Sequence, residues 1–254
     1  NRLLLGVTGG LCNRLISMWW WRDWCVKHNR GLSVLWKIAP SCPGALNDIF
    51  TEQCMSDVHR YQTDYWIPNV CDVSWAPATS EYPHAAWPVP SDGWPTHDNM
   101  RDIVCLQPQI KQLLQVLIEQ TNKQFVAVHV RRTDHVKSAV EHDQHVTDQQ
   151  YIDWLNQHVN DQTTIYVATD NQETFDIFHD RFHMNMIQHR FECLESIDSS
   201  ASARHTSLEQ SIVDMMMCVL ADQFMGNSWS TFTYFIQQMR HDRDHWIDHV
   251  TGHK

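Results

Sequence analysis

Two adjacent arginines, Arg131 and Arg132, follow the apolar run FVAVHV and lead into Thr133 and Asp134. A guanidinium presents a planar fork of donors that fits two phosphate or carboxylate oxygens at once, in charge-assisted bonds of about 1.5–3 kcal/mol each. Arginines at the mouth of a buried strand therefore point to an anion. In an extended segment His129 and Arg131 face one way and Arg132 the other. One arginine is expected to meet a ligand, and its neighbour to tie down the structure through Asp134. A surface salt-bridge cluster is the plainer alternative.

Three further segments carry groups suited to the same chemistry. In TGGLCNR, Gly9 and Gly10 let backbone amides approach a ligand closely, ahead of a helix whose amino end attracts negative charge, with Asn13 and Arg14 next in line. The spacing is not GxGxxG, so a dinucleotide-dependent dehydrogenase has little support. GNSWSTF places the hydroxyls of Ser228, Ser230 and Thr231, then Phe232, before another helix. That suits a phosphate cradle lacking the P-loop lysine, and equally a Ser/Thr helix cap. Asp170 closes the strand-like TTIYVATD. Asp214 lies in the apolar SIVDMMMCVLAD, where a lone carboxylate requires a partner. A purine edge with two N–H donors satisfies it as well as a structural ion pair does.

His241, His245, His249 and His253 recur every four residues near the end of the chain, a spacing that can hold a metal. Neither a carboxylate nor a cysteine completes such a set, and the DRD of Asp242–Asp244 does not follow a strand, so no metal site is expected. The twelve tryptophans belong mostly to the core, those between Trp66 and Trp94 offering an alternative surface for a sugar ring.

The elements that must position these groups alternate. Leu3–Val7, the helical RLISMWWWRDWCVKH and LSVLW form a βαβ opening. Residues 39–96, rich in Pro, Ser, Asp and Trp, read as irregular. Order returns with the helix PQIKQLLQVLIEQ and the strand FVAVHV, then TDQQYIDWLNQHV, capped by Thr147 or Asp148. The strand TTIYVATD, the helix NQETFDIFHDRF and a short apolar stretch at Met184–Ile187 follow. Last come the helix SLEQSIVDMMMCVLADQF and the strand, turn and helix of MGNSWSTFTYFIQQM. Such alternation implies α/β architecture with parallel sheets, in which ligands bind at the carboxyl ends of the strands. The 254 residues divide into an amino-terminal domain, 1–105, and a carboxyl-terminal domain, 106–254.

Composition narrows the classes. A formal net charge of −11 argues against nucleic acid as the main partner, because phosphate-backbone binding relies on a broad basic surface. No run approaches the roughly 18 apolar residues of a membrane span. Six of the eight cysteines lie in the first 105 residues, without CxxC or zinc-like spacing. They either staple the Cys42–Cys105 stretch as one or two disulfides or remain buried thiols, depending on compartment. The location stays open between a Golgi or ER lumen and the cytoplasm, and the lack of an Asn-x-Ser/Thr sequon leans away from a glycosylated secreted protein.

Taken in order, GGLCNRL, HVRRTD, YVATDN and the series D…AD…GNSWSTF resemble the α1,6-fucosyltransferase and protein O-fucosyltransferase superfamily, over nearly the whole chain. The resemblance implies two Rossmann-like domains facing each other across a cleft, as in GT-B-like glycosyltransferases, the first on the acceptor side and the second holding the donor. It implies inverting transfer of fucose from GDP-fucose to a hydroxyl of a glycan or protein, with no metal or other cofactor. By motif position Arg131 grips the β-phosphate with His129 beside it, Asp214 binds guanine and Asp170 contacts the donor. Ser230 and Thr231 supply phosphate-side hydroxyls, and Gly9, Gly10, Asn13 and Arg14 line the other wall. Arg132, Asp134, Ser228 and Phe232 complete the substrate-binding set, and Glu141 is the candidate base. His135 stands where α1,6-enzymes have a lysine, and Asn171 where they have a second acid. A different nucleotide sugar, or a non-catalytic GDP-sugar or carbohydrate-binding module, is the alternative.

Overall fold

The computed structural model describes residues 2–7, 9–29, 31–39, 42–51, 58–63, 98–101, 103–121, 124–133, 136–187 and 206–252. The chain forms two compact units, Asn1–Gln107 and Pro108–Lys254. None of the described helices is long and apolar enough to cross a membrane.

The first unit opens with β1 (Arg2–Val7), α1 (Leu11–Lys27) and β2 (Gly31–Lys37), the two strands parallel with Leu5 opposite Val34. Leu15, Met18, Trp19 and Trp21 of α1 are fully buried together with Trp36 of β2. Burial runs almost all round α1, and the one acid this encloses, Asp23, is paired with Lys27 at 2.7 Å. After α2 (Leu46–Ile49) the chain adds β3 (Val58–Thr63), parallel to β2, to give the order β1-β2-β3. The stretch 39–96 read as irregular thus contains a strand. VHRYQT has only two strand-favouring apolar residues, three positions apart in sequence, and so carries no alternating signal. The excursion closes on itself: the Thr51 amide donates to the Cys105 carbonyl at 2.8 Å and the Gln107 amide to the Ile49 carbonyl at 2.9 Å, just beyond α3 (Asp98–Arg101). Cys105 is disulfide-bonded, whereas Cys12, Cys25, Cys42 and Cys218 are buried thiols. The Trp66–Trp94 stretch lies outside the described residues.

The second unit begins with α4 (Pro108–Gln120), which buries Ile110, Leu114 and Leu117 on one stripe. β4 (Phe125–Val130) follows, with all six residues buried, then α5 (Val136–Glu141) and α6 (Asp148–His158). β5 (Thr164–Thr169), α7 (Gln172–Phe182), α8 (Leu208–Leu220) and β6 (Gln223–Met225) lead to α9 (Thr231–Arg240) and α10 (Arg243–Thr251). The sheet order is β5-β4-β6, all parallel. Central β4 is covered on both faces, hence its unbroken apolar run. Val126, Val128 and Val130 join Ile165 and Val167 against Tyr151, Leu155 and Phe178 of α6 and α7. On the opposite face Tyr166 and His129 reach α8 and α9. Thr147 caps α6, accepting the Gln150 amide at 3.2 Å while its own amide donates to Gln150 Oε1 at 2.8 Å.

Helix α8 is shorter than its sequence pattern suggests, because Asp222 turns away to fasten the start of β4. Its Oδ2 accepts the Phe125 amide at 2.9 Å and its own amide donates to the Phe125 carbonyl at 2.9 Å. Arg240 then closes the helix end, donating to the carbonyls of Cys218, Val219, Ala221 and Asp222 at 2.9, 3.0, 2.6 and 3.2 Å. These are the acceptors a helix terminus leaves without intrahelical partners. Arg243 adds bonds to the Leu220 carbonyl at 2.9 Å and Asp222 Oδ1 at 2.7 Å. The DRD motif is therefore built into the amino end of the sheet. The histidine-rich tail is an ordered helix, α10, with Trp246 and Val250 buried and the Trp246 indole N–H bonded to the Met239 carbonyl at 3.0 Å. His253 lies outside the described residues, among which no three or more His, Cys, Asp or Glu side chains are grouped to hold a metal.

Arg240→Ala is expected to lower the unfolding free energy by about 2 kcal/mol, since four carbonyls lose a charged donor at once. Arg240→Lys should recover little, because a single ammonium does not reproduce the guanidinium fork. Urea denaturation of the three proteins measures this.

Candidate functional site

In the second unit the carboxyl ends of β4 and β5 lie side by side, with Val130 opposite Thr169. The residues that follow these ends are Arg131 and Asp170, both buried, and Arg131 Nε stands 3.2 Å from Asp170 Oδ2. The Arg132 amide donates to Asp170 Oδ1 at 2.9 Å and the Thr133 hydroxyl to Oδ2 at 2.5 Å.

The two arginines divide their work. Arg132 is tied down at Asp148, at the start of α6. Its Nε donates to Asp148 Oδ1 at 3.1 Å, Nη2 makes a second, closer contact with the same oxygen, and Nη1 donates to the Val146 carbonyl at 2.9 Å. The guanidinium also lies over the Tyr151 ring, 5.8 Å from its centre. Asp134, the anchor expected from the sequence, lies outside the described residues.

His129, one residue before the strand end, meets the first turn of α9. Its Nδ1 is 2.8 Å from Thr233 Oγ1, and its ring packs on Phe232 at 4.6 Å between centres. Thr233 Oγ1 also accepts the Asn227 amide at 3.1 Å, while Asn227 Oδ1 accepts the Trp229 amide at 2.9 Å. Gly226 makes this approach possible: a Cβ there would sit 2.5 Å from Thr233 Cγ2. Ser230 is buried as the N-cap residue, and its hydroxyl makes no bond to the helix. Thr231 and Phe232 open the helix, whose first amides have no intrahelical acceptors. Through His129 the first turn of α9 is held against the end of β4, from which Arg131 follows, and a helix amino end attracts an anion.

A rim encloses this corner. The α5 end turns through Asp143 in the left-handed region (φ 54°), sending His142 to stack on Trp229 at 4.3 Å and Gln144 to accept the Ser228 hydroxyl at 2.5 Å. Ser228 therefore latches two loops together. Glu141, the candidate base, is exposed on the same turn, one residue before His142.

Asp214 takes another position. Its Oδ1 accepts the Tyr166 hydroxyl at 2.7 Å and Gln210 Nε2 at 2.8 Å, level with the middle of β5. Burial pushes its carboxyl up from 3.8 to about 7, against the lowering effect of those two bonds. A neutral phenol and an amide, not an ion pair, hold this oxygen among the described residues.

The residues of the first unit form their own turn. Gly9 has φ +79°, and a Cβ there would lie 2.8 Å from Asn13 Nδ2, so glycine is required on both counts. Arg14 is buried, donates from Nε to the Gly9 carbonyl at 2.8 Å and lies over Trp36 at 4.7 Å. Burial lowers its guanidinium pKa. It braces the turn. Asn13 Oδ1 is buried with no hydrogen-bond partner among the described residues, an acceptor left over beside Gly9 and Gly10.

Sequence reasoning passed over Thr133, Asp148, Asn227 and Thr233. Thr133 and Asn227 lie inside the quoted motifs, and Asp148 was considered only as a cap. Thr233 has no local signal, since its partner is 104 residues away.

Residues 41–243 match the family described as GDP-fucose protein O-fucosyltransferase. No curated protein gives a significant sequence match. Among solved structures, a NodZ alpha-1,6-fucosyltransferase soaked with GDP-fucose is similar with a TM-score of 0.60 and 12% identity, over 94% of this chain and 92% of that one. The fucosyltransferase NodZ from Bradyrhizobium is similar with a TM-score of 0.59 and 12% identity, over 93% and 92%. POFUT1 in complex with GDP is similar with a TM-score of 0.60 and 15% identity, over 94% of each chain. At these identities the likeness is one of fold. The family match spans most of the chain, which therefore belongs to the GDP-fucose protein O-fucosyltransferase family and is a glycosyltransferase of the fucosyltransferase kind.

Proposed function

We propose that this protein transfers fucose from GDP-fucose to a hydroxyl of a glycan or protein, with inversion and without a metal ion. The observation that carries the reading is Arg131, a buried guanidinium at the carboxyl end of β4, the strand whose His129 meets the first turn of α9. In this reading the second unit holds the donor diphosphate.

Cleaving the bond between sugar and GDP leaves negative charge on the β-phosphate. Arg131, the Ser230 and Thr231 hydroxyls and the first amides of α9 stabilise that charge as it develops, the part a magnesium ion plays elsewhere. The anomeric carbon gains oxocarbenium character. The acceptor oxygen bonds to it from the opposite face as GDP departs with the bonding electrons, and Glu141 takes the acceptor's proton. The only DxD sequence, Asp242–Asp244, supports the metal-free reading by its place: Arg243 is tied to Leu220 and Asp222, which fastens the start of β4, the far end of that strand from Arg131.

A thermal-shift panel of GDP-, UDP- and dTDP-sugars tests the donor. GDP-fucose at a hundred times its Kd should stabilise the fold by about 2.7 kcal/mol. Stabilisation by UDP- or dTDP-sugars with none by GDP compounds would contradict the reading. EDTA should leave transfer unchanged, whereas a loss restored by Mg²⁺ or Mn²⁺ would refute the metal-free mechanism.

A further inference from the structure

Thr233, one residue past GNSWSTF, stands where the end of β4, the turn after β6 and the first turn of α9 meet. Its Oγ1 lies 2.8 Å from His129 Nδ1 and accepts the Asn227 amide at 3.1 Å. Thr233 and Asn227 are each 1% exposed and His129 is 5% exposed, so bulk water does not complete these bonds. A hydroxyl has one hydrogen to give and two lone pairs. The Asn227 amide can only donate, and it takes one lone pair. A proton on Nδ1 would take the other, and the hydroxyl hydrogen would be buried with no acceptor among the described residues, a state that folded proteins avoid. The reverse order satisfies every group: amide to Oγ1, hydroxyl to Nδ1. A neutral imidazole that accepts at Nδ1 carries its proton on Nε2. The ring is held in this arrangement, since Phe232 packs on it at 4.6 Å between centres and the Tyr151 hydroxyl donates to the His129 carbonyl at 2.9 Å. Asn227 in turn closes the loop: its Oδ1 accepts the Trp229 amide at 2.9 Å and its carbonyl the Ser230 amide at 3.1 Å. The turn that carries Ser228 and Ser230 is thus bonded within itself, and the Asn227 amide joins it to Thr233.

We propose that Thr233 is a positioning residue: its hydroxyl receives the Asn227 amide and gives its hydrogen to His129 Nδ1, which sets His129 as a neutral imidazole protonated on Nε2 and ties the 226–230 turn to the end of β4. The effect on transfer rests on the donor reading of this corner, whereas the tautomer does not. His129 then serves as a hydrogen-bond donor from Nε2. Its unprotonated nitrogen is covered by Thr233, so the acceptor's proton goes elsewhere. Valine at this position has nearly the shape of threonine and removes both bonds at once, while serine keeps both.

The test uses Thr233→Val and Thr233→Ser in the full chain. The His129 ring is read by ¹⁵N NMR at about pH 8, where an ordinary histidine is neutral, and is assigned through its loss in His129→Gln. GDP affinity is read by calorimetry, and turnover as GDP released from GDP-fucose. The wild type should show one fixed tautomer, with the proton on Nε2 and none on Nδ1. In Thr233→Val the two tautomers should average, and GDP affinity and kcat/KM for GDP-fucose should each fall about tenfold, the lower end of what losing a histidine's orienting partner costs at metal sites. Thr233→Ser should restore all three. A proton on Nδ1 in the wild type would overturn the proposal. So would wild-type kcat/KM in a folded Thr233→Val, or a fall in kcat/KM with the His129 signals unchanged, the mark of a merely structural role. Should Thr233→Val not fold, the wild-type spectrum decides alone. A wild-type protein that neither binds GDP nor turns over GDP-fucose, but whose His129 tautomer depends on Thr233, would count against the donor reading and for the role of Thr233.

Discussion

Arg131→Ala is expected to lower kcat for fucosyl transfer about a thousandfold or more, the range seen when a single arginine carries the charge of a phosphate leaving group. The reason lies in where the side chain sits. It is buried at the end of the central strand, and no lysine stands in the HVRRTD or GNSWSTF loops to replace it. Arg132, its neighbour, cannot swing in without abandoning Asp148 and the Val146 carbonyl. Arg131→Lys keeps the charge but not the planar fork, so it should fall between the two. Alanine also leaves Asp170 without its ion pair, although the Arg132 amide and Thr133 hydroxyl still serve it. The loss of stability is therefore smaller than the loss of rate, and the melting temperature measured beside kcat separates them. Near-normal kcat in a folded Arg131→Ala protein would remove the basis of the mechanism.

Asp214→Asn is expected to make the protein more stable than the wild type above neutral pH. The native state, whose Asp214 carboxyl is raised from 3.8 to about 7 by burial, holds that proton more tightly than the unfolded chain does. The stability this contributes is complete below about pH 4 and is lost as the pH rises through 7. Each pH unit inside the window is worth about 1.4 kcal/mol. Asparagine keeps an acceptor oxygen for Tyr166 and Gln210 and never ionises. Between pH 5 and pH 8 the stability difference between wild type and Asp214→Asn should therefore shift by about 3 kcal/mol in favour of the variant. Urea denaturation at the two pH values measures it, and a difference that does not change with pH would show that Asp214 ionises freely in the fold.

Much of the second unit was legible in the sequence because its signals are local. The helix at Pro108–Gln120 and the strand at Phe125–Val130 have the limits that periodicity and an unbroken apolar run suggest. Thr147 and Asn171 cap their helices with side-chain bonds of the usual kind. What escaped depends on partners far along the chain. β3 exists because β2 offers it an edge, not because VHRYQT alternates. Helix α8 stops at Leu220 because Asp222 bonds Phe125, 97 residues earlier, and a run of apolar residues gives no hint of that. In the site, alternation set Arg131 apart from Arg132, and the anchor described for Arg132, Asp148, stands 16 residues on, where no local pattern points to it. Asp170 and Asp214 were assigned to the donor by the family resemblance, type and place having left Asp214 open between a purine and an ion pair. The sequence could not say that one faces a turn and the other a phenol, because both partners are set by how strands and helices are layered.

The most direct measurement is the crystal structure of the protein with GDP. The β-phosphate should lie within about 3 Å of the Arg131 guanidinium, the usual length of a charge-assisted bond, with the amino end of α9 on its other side. Nucleotide bound in full occupancy but out of reach of Arg131 would contradict the account.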